Sequence, residues 1–141
     1  MIRLITGAKG TGKTKIIIDM ANDNVETAKG DIVFLTDTDR YMYSLRYQIR
    51  VINVENFLGD APICEASLIG FIKGVLAGNH DIETLYIDGA HRMLGKQVDD
   101  MEDFFRDIYA IGKDTETRFV LTVSEDEDKF PEFLNKYRKE G

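Results

Sequence analysis

Gly7-Ala8-Lys9-Gly10-Thr11-Gly12-Lys13-Thr14 is the stretch on which the reading of this chain turns, because it satisfies G-x-x-x-x-G-K-[ST] in full. It follows a β-branched run, Ile2-Arg3-Leu4-Ile5-Thr6, and from residue 12 onward the rhythm becomes helical, with Ile16, Ile17, Met20, Ala21 and Val25. A glycine-rich loop between a strand and a helix lets successive backbone N–H groups turn inward around a phosphate. The positive end of the helix dipole adds to their pull. In that arrangement Lys13 reaches the β and γ phosphates, and the Thr14 hydroxyl is a ligand for the Mg2+ that bridges them. Ala8, Lys9 and Thr11 occupy positions that the pattern leaves free and complete the candidate cradle. With 12 Gly, 10 Lys and 13 Ser or Thr in the chain, about 0.006 matches are expected by chance. The pattern is therefore read as a phosphate site and not as an accidental glycine turn.

Outward from the loop, Gly30 stands where a helix C-cap glycine belongs, and Asp31-Ile32-Val33-Phe34-Leu35-Thr36 reads as a buried second strand, so a βαβ unit opens the chain. Residues 40–46 are ambiguous between a short helix and a hairpin arm, and residues 48–54 read as a strand. Pro62 opens a helix that carries Leu68, Ile69, Phe71, Ile72, Val75 and Leu76, with Gly78 as its stop. Thr84-Leu85-Tyr86-Ile87-Asp88 is a further buried strand. A helix with Met101, Phe104, Phe105, Ile108 and Ile111 follows and ends near Gly112. Residues 117–123 form the last strand, and Pro131 starts a short terminal helix. Such alternation predicts a three-layer α/β/α sandwich with a mainly parallel sheet and ligands at the carboxyl ends of its strands. That edge gathers residues 7–14, Asp37 and Asp39, residues 88–91, and Ser124 with Glu125.

Composition narrows the class. A chain of 141 residues, 43% hydrophobic, suits a single domain over 1–141. No apolar run approaches the ~20 residues of a membrane helix, and no signal-peptide core follows Met1, so the expected compartment is the cytoplasm, without a membrane span. One cysteine, Cys64, excludes an internal disulfide and is expected to pack and not to react. Two histidines, His80 and His91, are too few for a structural zinc site. Residues 1–50 hold 8 Lys/Arg against 6 Asp/Glu (+2), and residues 51–141 hold 10 against 19 (−9). That balance disfavours indiscriminate binding of nucleic acid. Arg40, Arg46 and Arg50, interleaved with Tyr41, Tyr43 and Tyr47, form one basic-aromatic strip. It suits either base stacking or a solvated face. The acidic residues 125–128 read as a solvated loop.

Asp88, closing an apolar strand, suits a carboxylate that holds the metal opposite Thr14; the plainer reading is a turn aspartate before Gly89. Together these residues resemble the P-loop NTPase superfamily, with residues 7–14 as Walker A and Leu85-Tyr86-Ile87-Asp88 as Walker B. The room between them is similar to the RecA-like branch, which includes pilus-retraction ATPases, helicases and thymidine kinases. The resemblance covers nearly the whole chain in fold. It implies ATP and Mg2+ as ligands, with Thr14 and Asp88 at the metal and Ser124 as a γ-phosphate sensor, a capping serine being the alternative. In many members of that branch a glutamate follows the Walker B aspartate and polarises the attacking water. Here the position is Gly89, which implies slow hydrolysis and leaves Asp37, Asp39 or His91 to orient water. Asn135-Lys136-Tyr137-Arg138 lacks the final aspartate of the guanine-reading motif, so adenine is expected.

Three activities follow as expectations. One is a weak or partner-activated ATPase. The second is a nucleoside-type kinase, for which the sequence offers no recognisable acceptor pocket. The third is a non-enzymatic adaptor whose strip at residues 40–50 engages a protein partner or a second copy, where one arginine would serve as a finger for the neighbour's nucleotide.

Overall fold

Five strands, β1 (Ile2–Gly7), β2 (Asp31–Thr36), β3 (Ile49–Asn53), β4 (Ile82–Ile87) and β5 (Arg118–Ser124), lie in one sheet ordered β1-β5-β4-β2-β3. Every pairing between these strands is parallel. The architecture is that of a computed structural model, which describes residues 1–59, 61–125 and 130–140.

Parallel strands covered on both faces must be apolar on both, and the strand sequences meet that demand. Val33, Leu35, Leu85, Ile87, Phe119 and Leu121 pack into one core, while Ile32, Phe34, Tyr86 and Val120 alternate with them into a second. The second core is closed by α1 (Lys13–Asn24) through Ile17, Ile18 and Ala21. The first is closed by α3 (Glu65–Gly78) and α5 (Glu102–Thr115). On α5, Phe104, Phe105, Ile108 and Ile111 form the buried stripe. Each such side chain contributes about 1.5–3 kcal/mol on burial. The short α2 (Glu55–Leu58) and α4 (Ala90–Leu94) follow β3 and β4, and α6 (Asn135–Glu140) packs on β1. The three layers and the parallel sheet are those the alternation predicts.

Several boundaries differ from the sequence expectation, each for a local reason. Gly30 does not cap α1, which ends at Asn24; instead the Lys29 and Gly30 amides donate to Glu83 Oε2 at 2.7 and 2.8 Å. The helix expected from Pro62 begins at Glu65, where Cys64 and Ser67 form a reciprocal capping box. Cys64 is accordingly exposed and not packed. Its hydrogen bonds with the Ser67 side chain and amide hold the thiol pKa below its ordinary value. Helix α5 runs past Gly112 to Thr115. The ambiguous segment 40–46 holds one 3-10 turn, Met42–Ser44, and neither a helix nor a hairpin arm. Pro131 leads into a 3-10 turn, Glu132–Leu134, before α6. Residues 126–128 of the expected acidic loop lie outside the described residues. No helix among the described residues is long and apolar enough to cross a membrane.

One feature of the strand order positions the site. β5 lies between the strand that feeds the glycine loop and the strand that ends at Asp88. Contact between loop and carboxylate therefore crosses the end of a third strand.

Candidate functional site

The loop after β1 is closed on a single carbonyl. Ala8 O accepts from Thr11 N at 3.3 Å, from Thr11 Oγ1 at 2.7 Å and from Lys13 Nζ at 2.7 Å. Gly12, at the head of α1, has φ 86° and ψ 21°, a left-handed conformation that a side chain would strain. With that turn made, the first amides of α1, which have no carbonyl one turn back, face the loop. Lys13 is buried beneath it at 7% exposure. Burial lowers its pKa from the ordinary lysine value, and the charge of Asp88 acts in the opposite direction. A buried ammonium at the head of a helix is the kind of arrangement that suits an anion.

Thr14 and Asp88 meet across the sheet end. Thr14 Oγ1 donates to Asp88 Oδ2 at 3.1 Å, although the residues are 74 positions apart. Asp88 is 2% exposed. Its other oxygen accepts from Thr122 Oγ1 on β5 at 2.9 Å, and the same hydroxyl accepts from the Gly89 amide at 3.0 Å. Asp88 is thus fixed by two neutral hydroxyls, and its negative charge is offset only at a distance. Two hard oxygen donors that meet beside the glycine loop fit Mg2+. Among the described residues no three His, Cys, Asp or Glu side chains gather into a metal cluster. A cation there would draw its remaining ligands from phosphate oxygens and water.

The backbone after Asp88 turns through Gly89 at φ 87° into α4. The left-handed φ is what favours glycine here, and a Cβ at this position would also point into the movable guanidinium of Arg92. Arg92 in turn grips Asp37 with two parallel bonds, Nε to Oδ2 at 2.8 Å and Nη2 to Oδ1 at 2.9 Å. The Asp37 hydrogen bonds raise the Arg92 pKa further. His91, beside it, has a buried Nδ1 with no partner among the described residues. Burial pushes its imidazole below the ordinary histidine value, and the Arg92 and Lys13 charges push the same way, against Asp88 and Asp37. The ring is therefore neutral at pH 7.

These placements sort the sequence candidates. Lys13, Thr14, Asp88, His91 and Asp37 share one electrostatic neighbourhood. Asp39 is exposed and accepts from Asn53 Nδ2 of β3 at 3.1 Å, on the side of β2 away from β4. Ser124 is the register partner of Gly7. With Lys9, His91, Arg92 and Lys96 it lines a cleft of about 570 Å³ at the loop's edge. Two site residues were not singled out from the sequence. Thr122 carried a signal, being the one polar residue inside Phe119-Val120-Leu121-Thr122-Val123. Arg92 carried none, because α4 has only five residues. In the basic-aromatic strip Tyr43 and Tyr47 are 98% and 93% exposed, Arg46 pairs with Glu26, and Arg40 lies 6.0 Å from the Tyr41 ring centroid.

Among solved structures, the chain is similar to a KaiC-like protein, PH0186, from the hyperthermophilic archaeon Pyrococcus horikoshii OT3, with TM-score 0.70 and 15% identity over 97% of this chain and 68% of that one. It is also similar to the flagellar accessory protein FlaH from Methanocaldococcus jannaschii, with TM-score 0.55 and 16% identity over 99% of this chain and 66% of that one. The chain thus spans about two thirds of the length of each. At this identity the likeness is one of fold, and the fold is the RecA-like α/β fold that the sequence resemblance implies. No protein-family model matches the chain, and no curated protein does.

Proposed function

We propose that the chain binds Mg-ATP on residues 7–14 and hydrolyses it weakly, or fully only with a partner. The observation that carries this reading is the contact of Thr14 Oγ1 with Asp88 Oδ2 at 3.1 Å, which brings together the two residues expected at the metal, next to buried Lys13. The loop amides and Lys13 would hold the β and γ phosphates. Thr14 and Asp88 would hold Mg2+, which when bound supplies positive charge to the phosphate oxygens as the leaving diphosphate forms.

Water attack at the γ phosphorus, with cleavage of its bond to the β–γ bridging oxygen, needs a group to orient the water and take its proton. Asp37 suits this better than Asp39, because it shares the field of Asp88, Lys13 and His91. Neutral His91 stands beside it as a second acceptor. Lys13→Ala is the test, with calorimetric titration by Mg-ATP and phosphate release as readouts. Saturable heat in the wild type and none in the variant supports nucleotide binding, and phosphate release above background supports turnover. Equal heat in both proteins rejects the reading.

Two other activities have a specific observation each. The cleft beside Lys9, His91 and Ser124 offers room for a phosphoryl acceptor, where the sequence suggested none, and favours a nucleoside-type kinase; phosphate transfer to a nucleoside in a mixed panel would establish it. The exposure of Tyr43 and Tyr47 favours an adaptor, which would bind Mg-ATP without releasing phosphate and would capture its partner only with nucleotide present.

A further inference from the structure

We infer that Arg92 discriminates triphosphate from diphosphate, and that Asp37 holds it in reserve until a γ phosphate competes for it. The inference rests on the nucleotide-binding reading above and deepens it. Three observations place Arg92 for the task. Its guanidinium occupies the space into which a side chain at Gly89 would project, directly after Asp88. It lines the cleft together with Lys9 and His91, and it feels the charge of Asp88 as well as that of Asp37. The arginine therefore stands at the edge of the loop, where the terminal phosphate of a bound triphosphate would extend and a diphosphate would not reach.

Asp37 is the reason that the arrangement switches. Both its oxygens are engaged by Arg92, so its capacity to accept from water is reduced while the pair is closed. The Arg92 side chain is 49% exposed and that of Asp37 13%, so the guanidinium can be reached from solvent while the carboxylate stays behind it. A γ phosphate presents more negative charge than a carboxylate, and its oxygens match the guanidinium fork equally well. When it arrives, Arg92 exchanges one bidentate partner for another, and Asp37 is released beside the water that it orients. Recognition of the third phosphate and release of the carboxylate become one event, which withholds activation of water until there is a bond to cleave.

The test compares affinities for Mg-ADP and for the Mg complex of the β,γ-imido ATP analogue in the wild type, Arg92→Gln, Arg92→Lys and Asp37→Asn, together with single-turnover hydrolysis of Mg-ATP. Arg92→Gln is expected to lose about tenfold or more in its preference for the triphosphate while its ADP affinity stays within about twofold. Arg92→Lys keeps part of the preference. Asp37→Asn moves the two readouts in opposite directions: with Arg92 unopposed, triphosphate preference rises, whereas turnover falls by about 10²-fold. A merely structural pair would weaken both nucleotides together. An unchanged triphosphate preference in Arg92→Gln, or a reduced one in Asp37→Asn, overturns the inference. If the wild type binds neither nucleotide, the nucleotide-binding reading itself fails and this inference falls with it.

Discussion

Asp88 and Asp37 end neighbouring parallel strands, yet they are held in opposite ways. Asp88 is buried at 2% exposure and accepts from two hydroxyls, Thr14 and Thr122. Asp37 is gripped by a full positive charge on Arg92. Hydroxyls satisfy the lone pairs of Asp88 without bringing a counter-charge. A guanidinium satisfies the lone pairs of Asp37 and supplies a counter-charge together. Strand-end position brings a carboxylate to the site, and the identity of its donors decides what it can do there.

Asp88→Asn is the most severe way to break this comparison. It keeps shape and the possibility of hydroxyl bonds while removing the charge. Nucleotide turnover should fall by about 10³-fold, with a marked rise in the Mg2+ concentration required, while the urea midpoint changes little. An unaltered Mg2+ requirement would show that the buried carboxylate is a structural anchor only.

Thr122→Val sharpens the comparison from the other side, since valine replaces the hydroxyl at equal volume. The buried Gly89 amide then loses its acceptor and Asp88 Oδ1 loses a donor. Each unsatisfied buried group costs about 1–3 kcal/mol. A lower urea midpoint at constant m value would register it. A variant as stable as the wild type would mean that another donor replaces the hydroxyl.

The strand–loop–helix junction at residues 7–14 was legible because its instruction is contiguous: glycines, lysine and threonine stand at fixed spacing on one turn of chain. Asp88 was legible because a carboxylate closing an apolar strand is a local pattern. The partners of these residues were not, because they depend on which strands become neighbours. Asp37 and Asp39 read alike in sequence, and only the position of β2 between β4 and β3 sends the first toward Arg92 and the second toward Asn53. Arg92 was hidden because α4 is too short to show a helical period and starts from a glycine turn. Cys64 was misread because free cysteine is usually buried, whereas here its sulfur accepts from the Ser67 amide at 3.4 Å and does the work of a capping serine.

The smallest expected effect concerns His91, which feels the charge of both carboxylates. Its pKa is depressed in the folded chain, chiefly by burial and then by the Arg92 and Lys13 charges. The unfolded chain therefore takes up this proton first as pH falls through about 6.5, and protons bound preferentially to the unfolded state destabilise the fold. Stability attributable to His91 is fully present above that value and is lost as pH drops toward the folded pKa. His91→Gln removes the titration while leaving a polar side chain of similar reach. In nucleotide-free protein, the stability of the wild type relative to this variant should decline between pH 7.5 and pH 5.5. The decline is bounded by the about 1.4 kcal/mol that one pH unit below the unfolded pKa allows, and solvent access to a half-buried ring reduces it further. Urea unfolding of both proteins at matched ionic strength measures the difference, and the carboxylates common to both cancel from it. A difference that grows as pH falls would mean that the imidazolium is welcome in the fold, drawn by Asp88 and Asp37 more strongly than burial and its cationic neighbours oppose it. His91 would then belong to the charge balance of the carboxylates and could not serve as a neutral acceptor beside the water.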